Sequence, residues 1–146
     1  MAKREAKDVM LYFRSVADEG NDDGTESAAT NLTSLLIPAS RLRWMNPVSN
    51  TTLTMYFDSI KNAEGADNTD TEVTISDSVT LTIKSNQARE VMNGIVAAIN
   101  NSSTGLIVVA DDRTTNHADE TVSARYLLPE ITGIATDAIV CAAAHS

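Results

Sequence analysis

The sequence predicts an α+β fold: a mostly antiparallel or mixed β-sheet or sandwich with one main amphipathic helix, about residues 86–101, packed on it. Three stretches lead to this reading. From Thr51 to Asp58, Leu53, Met55 and Phe57 alternate with Thr52, Thr54 and Tyr56, the period of a strand with one buried face. From Ser85 to Asn101, Val91, Met92, Ile95, Val96 and Ile99 recur at helical spacing. The helix lies between an alternating stretch, Glu72–Lys84, and an unbroken apolar run, Leu106–Ala110. Strand, amphipathic helix and buried strand make the seed of a core.

The other elements follow in chain order. Met1–Lys7 mixes charges of both signs and reads as a flexible arm on a single domain spanning residues 1–146. In Asp8–Val16, Val9, Leu11 and Phe13 alternate with Met10, Tyr12 and Arg14, which predicts a strand. Asp18–Asn31 is acidic and polar, a surface loop. Leu32–Pro38 is a second strand. Pro38 lacks the N–H a sheet interior needs, so it ends the strand or places it at an edge. Ala39–Met45 alternates again, with Arg41 and Arg43 on the face opposite Leu42 and Trp44, and Asn46-Pro47 signals a turn. Lys61–Thr71 is a second polar loop, and Ser76-Asp77-Ser78 reads as a bulge or tight turn within Glu72–Lys84.

Ser85 or Asn86 is the expected helix N-cap, since either side-chain oxygen can accept from a first-turn N–H. Glu90 suits the positive end of the helix dipole. Gly94 sits mid-helix, where glycine costs about 1 kcal/mol against alanine, and its missing side chain points to close approach to the sheet. Asn100, Asn101, Ser102, Ser103 and Gly105 close the helix. Leu106–Ala110 is expected at the sheet centre, covered on both faces. A helical crossover from the strand before the helix would permit parallel pairing of the two, with right-handed connection. Asp111–Asp119 is a third polar loop. Glu120–Leu128 alternates Val122, Ala124 and Tyr126 with Ser123, Arg125 and Leu127; Pro129 interrupts it. Glu130–Thr136 is another short strand, and Ala138–Ala143 one more strand or a short helix.

The 146 residues are enough for one domain with a core. Aromatics make up only 4%, so that core rests on Val, Ile, Leu, Met and Ala. The net charge of −9 repels nucleic acid and anionic lipid, and neither is expected as a partner. Positive charge is segregated only at the N-terminal end, in Lys3, Arg4, Lys7 and Arg14. Cys141 is the only cysteine, which excludes an intrachain disulfide. No run approaches the ~18 apolar residues of a membrane span, and the charged start does not resemble a secretion signal, so assembly in the cytoplasm is expected.

No catalytic signature stands out, and the chain is expected to be non-enzymatic and to need no cofactor. His117 and His145 lie far apart, with no second ligand type at metal spacing. Glycines are dispersed, and no G-x-G-x-x-G or P-loop occurs. Asp22-Asp23, Asp111-Asp112 and the group Asp67, Asn68, Asp70 and Glu72 could hold a hard cation, but none has EF-hand spacing, and solvated acidic loops are the simpler reading. Met45, Met55 and Met92 are core filler. Arg41 and Arg43 beside Trp44 are the better candidates for a partner surface, since arginine and tryptophan are favoured at protein interfaces. The competing reading buries Trp44 and lets the arginines balance local acid.

Several phrases occur together in order: "LYFRSVAD" before an acidic loop, then "IPASRLRWMNPVSNTTLTMYFDSIKNAEGADNTD", "VMNGIVAAIN" and "VVADD". This order resembles a group of small uncharacterised proteins of marine tailed bacteriophages, including those infecting cyanobacteria, over roughly residues 9–127. The resemblance implies a virion component assembled in the host cytoplasm, a capsid-associated decoration or cement protein that binds the major capsid protein and is homo-oligomeric on the particle. It brings no functional residues to carry over. The contact regions expected from the residues themselves are the arm, with Lys3, Arg4 and Lys7, and the segment with Arg41, Arg43 and Trp44. The alternative is a tail, fibre or knob component, or a carbohydrate-binding module using calcium in its acidic loops.

Overall fold

Apolar–polar alternation builds two four-stranded sheets, which face each other across one core. The computed structural model describes residues 9–15, 33–58, 76–102, 105–114 and 121–140. The arm with Lys3, Arg4 and Lys7, the loops at 18–31 and 61–71, His117, Cys141 and His145 lie outside the described residues. The elements are β1 (Met10–Arg14), β2 (Ser34–Pro38), a 3-10 turn (Ala39–Arg41), β3 (Leu42–Ser49), β4 (Thr52–Asp58), β5 (Ser76–Ile83), α1 (Ala88–Asn101), β6 (Leu106–Asp111), β7 (Arg125–Tyr126) and β8 (Ile131–Val140).

The first sheet has the order β2-β1-β6-β7 and the second β3-β4-β5-β8. The second is antiparallel throughout, whereas in the first β1 and β6 run parallel. The sheets meet where Phe13 of β1 packs edge-on against Phe57 of β4, with ring centroids 6.0 Å apart. Around this pair Leu11, Ile37, Leu53, Met55, Val79, Leu81, Ile95, Ile131 and Ile139 are fully buried. The α+β sandwich and its aliphatic core are thus as the sequence predicts.

Helix α1 carries the chain from β5 in one sheet to β6 in the other. It buries Val91 and Ile95, and it packs Ala88, Met92, Ala98 and Ile99 against the core. The parallel pairing of its flanking strands that a helical crossover would permit does not form. β5 takes β4 and β8 as neighbours, and β6 takes β1. The helix begins after Gln87, without a side-chain cap. Ser85 and Asn86 are used elsewhere: Asn50 Nδ2 donates to Ser85 Oγ at 3.3 Å, and the Asn86 N–H donates to the Asn50 carbonyl at 2.8 Å. Asn86 stands at φ 62, a left-handed conformation that asparagine tolerates better than most residues.

Three further boundaries differ from expectation. Asn46-Pro47 lies inside β3, which tolerates the proline because it is an edge strand; the chain turns at Asn50-Thr51 instead. Ser76-Asp77-Ser78 is regular strand, in unbroken register with β4. The two segments expected after Pro129 form the single strand β8, whose register against β5 shifts twice, while Glu120–Leu128 contributes only the two residues of β7.

Candidate functional site

The outer faces of the two sheets point in opposite directions, and they differ in character. On the β2-β1-β6 side, cross-strand partners form transverse rows. Pro38, Met10 and Leu106 make one row, and Leu36, Tyr12 and Val108 the next. All six are apolar or aromatic, and Leu36 and Leu106 are half exposed, at 52% and 51%. Leu106–Ala110 is therefore inside the sheet order, as expected, but its outer face is open. The next row is Ser34, Arg14, Asp111 and Arg125. There Arg14 and Asp111 are buried, at 2% and 8% exposure, so the apolar rows end against a covered charged one.

A groove of about 450 Å³ opens beside this face. Ala98 and Asn101 of α1, with Ser102 just after it, form one wall, and Arg125, Tyr126 and Leu127 the other. It exists because β7 pairs only with Ala110 and Asp111, leaving Leu106–Val108 to line its floor.

On the opposite sheet the outer face is mostly hydroxylic. Thr52 pairs with Thr82, Thr54 with Thr80 and Tyr56 with Ser78 across β4 and β5. Thr54 Oγ1 and Thr80 Oγ1 lie 2.9 Å apart, in hydrogen-bond contact. On the edge strand β3, Trp44 stacks on Tyr56 with centroids 4.2 Å apart and planes 12° apart. Trp44 is 51% exposed, which sets aside the buried-core reading.

The position of Trp44 depends on a bulge. Leu42 pairs with Phe57 and Trp44 with Tyr56, so Arg43 is the extra residue. The expected common face for Leu42 and Trp44 is lost: Leu42 packs on the core and Trp44 stands outside. Both arginines reach the same residue of β4. Arg43 Nε lies 3.3 Å from Asp58 Oδ1, with both side chains at least half exposed, and Arg41 Nη1 donates to the Asp58 carbonyl at 3.5 Å. Arg41, Arg43 and Trp44 are thus brought together at one sheet corner with Asp58 and Tyr56, which sequence reasoning did not single out.

The acidic pair Asp111-Asp112 serves the fold. Asp111 Oδ1 accepts the Arg113 N–H at 3.0 Å. Asp112 Oδ1 accepts from the Tyr126 hydroxyl at 2.6 Å, and its Oδ2 accepts the Ile134 N–H at 3.1 Å. One carboxylate thereby ties the first sheet, through β7, to β8 of the second. Burial, the hydrogen bond to Asp112 and the negative charges of Asp112 and Asp111 together push the Tyr126 phenol well above its ordinary range. Among the described residues no group of three or more His, Cys, Asp or Glu could hold a metal ion, and no helix is long and apolar enough to cross a membrane.

Sequence reasoning missed the Leu36–Leu106 face. Two signals for it existed, the adjacent Leu36 and Ile37 and the unbroken run Leu106–Ala110. Both say that a strand is apolar on two faces, but not whether the second face is covered. Compared with protein-family models, curated proteins and solved structures, the chain gives no significant match.

Proposed function

We propose that the chain is a non-enzymatic structural protein of a tailed-phage virion, a decoration or cement protein that binds the major capsid protein through the outer face of β2, β1 and β6. The observation that supports this reading is the pair of uncharged rows, Pro38-Met10-Leu106 and Leu36-Tyr12-Val108, standing on a rigid paired sheet. In a chain of net charge −9, a contiguous patch without charge marks a surface meant for another protein, because interface cores are depleted in charge and rich in apolar side chains. Lys3, Arg4 and Lys7 precede β1 in the sequence, and we propose that they add basic contacts to the capsid partner. The virion assignment itself rests on the ordered phrases described above.

The test is co-sedimentation of the protein with purified particles, alongside mass spectrometry of those particles. The protein is expected among the virion proteins, and Leu36→Asp with Leu106→Asp is expected to release it while leaving thermal unfolding unchanged. Absence from particles, or full retention of the double variant, would reject the reading. The half-exposed Trp44 favours a second role on the opposite face.

A further inference from the structure

We propose that Trp44 is the platform of a glycan-binding site, with the exposed indole face taking the C–H face of a pyranose ring. The argument does not depend on the capsid reading, and it starts from how the indole is held. Tyr56 stacks on one side of it at 4.2 Å, and Tyr56 belongs to β4, the one strand paired with β3 among the described residues. Trp44 is on the edge strand and 51% exposed with one face against Tyr56, so the surface it leaves open lies away from Tyr56. The bulge at Arg43 and the stack fix the ring before any ligand arrives, which lowers the ordering cost of binding.

What surrounds the indole selects the ligand class. A pyranose offers a patch of C–H bonds bordered by hydroxyls, each both donor and acceptor. At one side of Trp44 the exposed pair Arg43–Asp58 supplies a planar cation and a carboxylate. At the other, Asn46 shares the outer face two residues along β3, opposite Thr54, and supplies an amide. Beyond these the face is Thr52, Ser78, Thr80 and Thr82. One flat aromatic in a hydroxyl and amide field is the pattern of a polar ligand with a small apolar face. A protein partner would want a contiguous apolar core, and the molecule offers that on its opposite side, at Leu36 and Leu106. A particle docked there would leave Trp44 facing outward.

The chain has one tryptophan, so its emission reports on this site alone. The full-length protein is titrated with chitohexaose, cellohexaose, maltohexaose, dextran and the O-polysaccharide of bacterial lipopolysaccharide. At least one probe is expected to give a saturable emission change at millimolar sugar or below. By calorimetry, Trp44→Ala is expected to abolish that binding and Asp58→Asn to weaken it by about tenfold. Trp44→Phe keeps a flat ring and is expected to retain part of it. Thermal unfolding and the co-sedimentation assay serve as controls, and both are expected to be unchanged. Failure of every probe to saturate overturns the proposal, as does binding that survives Trp44→Ala. Loss of particle association in Trp44→Ala, without sugar binding in the parent, also overturns it and gives this face to a protein partner.

Discussion

The side chain of Leu128 occupies the space that a β-carbon on Gly94 would need. Both of its methyl carbons and its Cγ lie within 3.1 Å of that point. The glycine therefore admits a residue from the connection between β7 and β8, not the sheet that the sequence suggested.

Gly94→Ala gains about 1 kcal/mol of helix propensity, but it forces the partly buried Leu128 aside, an overpacking cost of about 1–3 kcal/mol. Rotation of the methyls alone does not relieve the contact, because Cγ is also close. The expected result is a net loss of about 1 kcal/mol in urea unfolding. In a Leu128→Ala background the same change is expected to stabilise. Additive effects of the two substitutions would show that the pair is not coupled.

Phe13 and Phe57 hold the two sheets together at the centre of the core. Phe57→Ala removes a fully buried ring whose surroundings belong to both sheets, and it is expected to cost about 3–5 kcal/mol. Phe57→Leu keeps most of the volume and is expected to cost less than half as much. Denaturant midpoints with unchanged slope would check both values.

Asp112 accepts from one strand of each sheet, so its removal leaves the Tyr126 hydroxyl and the Ile134 N–H without their acceptor. Asp112→Ala is expected to destabilise by about 2–3 kcal/mol, and Tyr126→Phe by about 1 kcal/mol. The Tyr126 phenol is raised in the folded chain, so folding favours its protonated form. Its contribution is whole below the unfolded value near pH 10 and is lost as pH rises above that value. Stability measured between pH 8 and 11 (roughly the range that brackets tyrosine titration) is expected to fall more steeply for the parent than for Tyr126→Phe. Parallel curves would show that this proton does not contribute.

The Arg43–Asp58 pair joins two side chains that are each at least half exposed. Such pairs are worth about 0–1 kcal/mol, so Arg43→Ala is expected to move the unfolding midpoint hardly at all. A loss above about 2 kcal/mol would mean that the bulge itself depends on Arg43.

The strands with one buried face were legible in the sequence. Leu53, Met55 and Phe57 point inward as their alternation requires, and so do Val79, Leu81 and Ile83. The helix was legible within three residues of its start, since Val91, Ile95 and Ile99 define its inner stripe. Its cap was not, because Ser85 and Asn86 bond to a hairpin 35 residues earlier in the chain. Of the candidate site, Arg41, Arg43 and Trp44 were visible as residue types out of keeping with an acidic, aromatic-poor chain. Their grouping with Asp58 and Tyr56 was not, because the bulge at Arg43 changes which residues share a face.

By itself the sequence determined the class of the fold, its aliphatic core and its single main helix, because periodicity and composition act locally. Only the tertiary structure decided which sheet each strand joins. The stretch Ser76–Asp111 reads locally as strand, helix, strand, yet α1 sends its second strand to the opposite sheet, where β1 is its partner. It also decided that Leu36 and Leu106 face outward, and that Trp44 stands on Tyr56. Exposure and cross-strand contact are properties of neighbours brought together from distant parts of the chain, and no local pattern carries them.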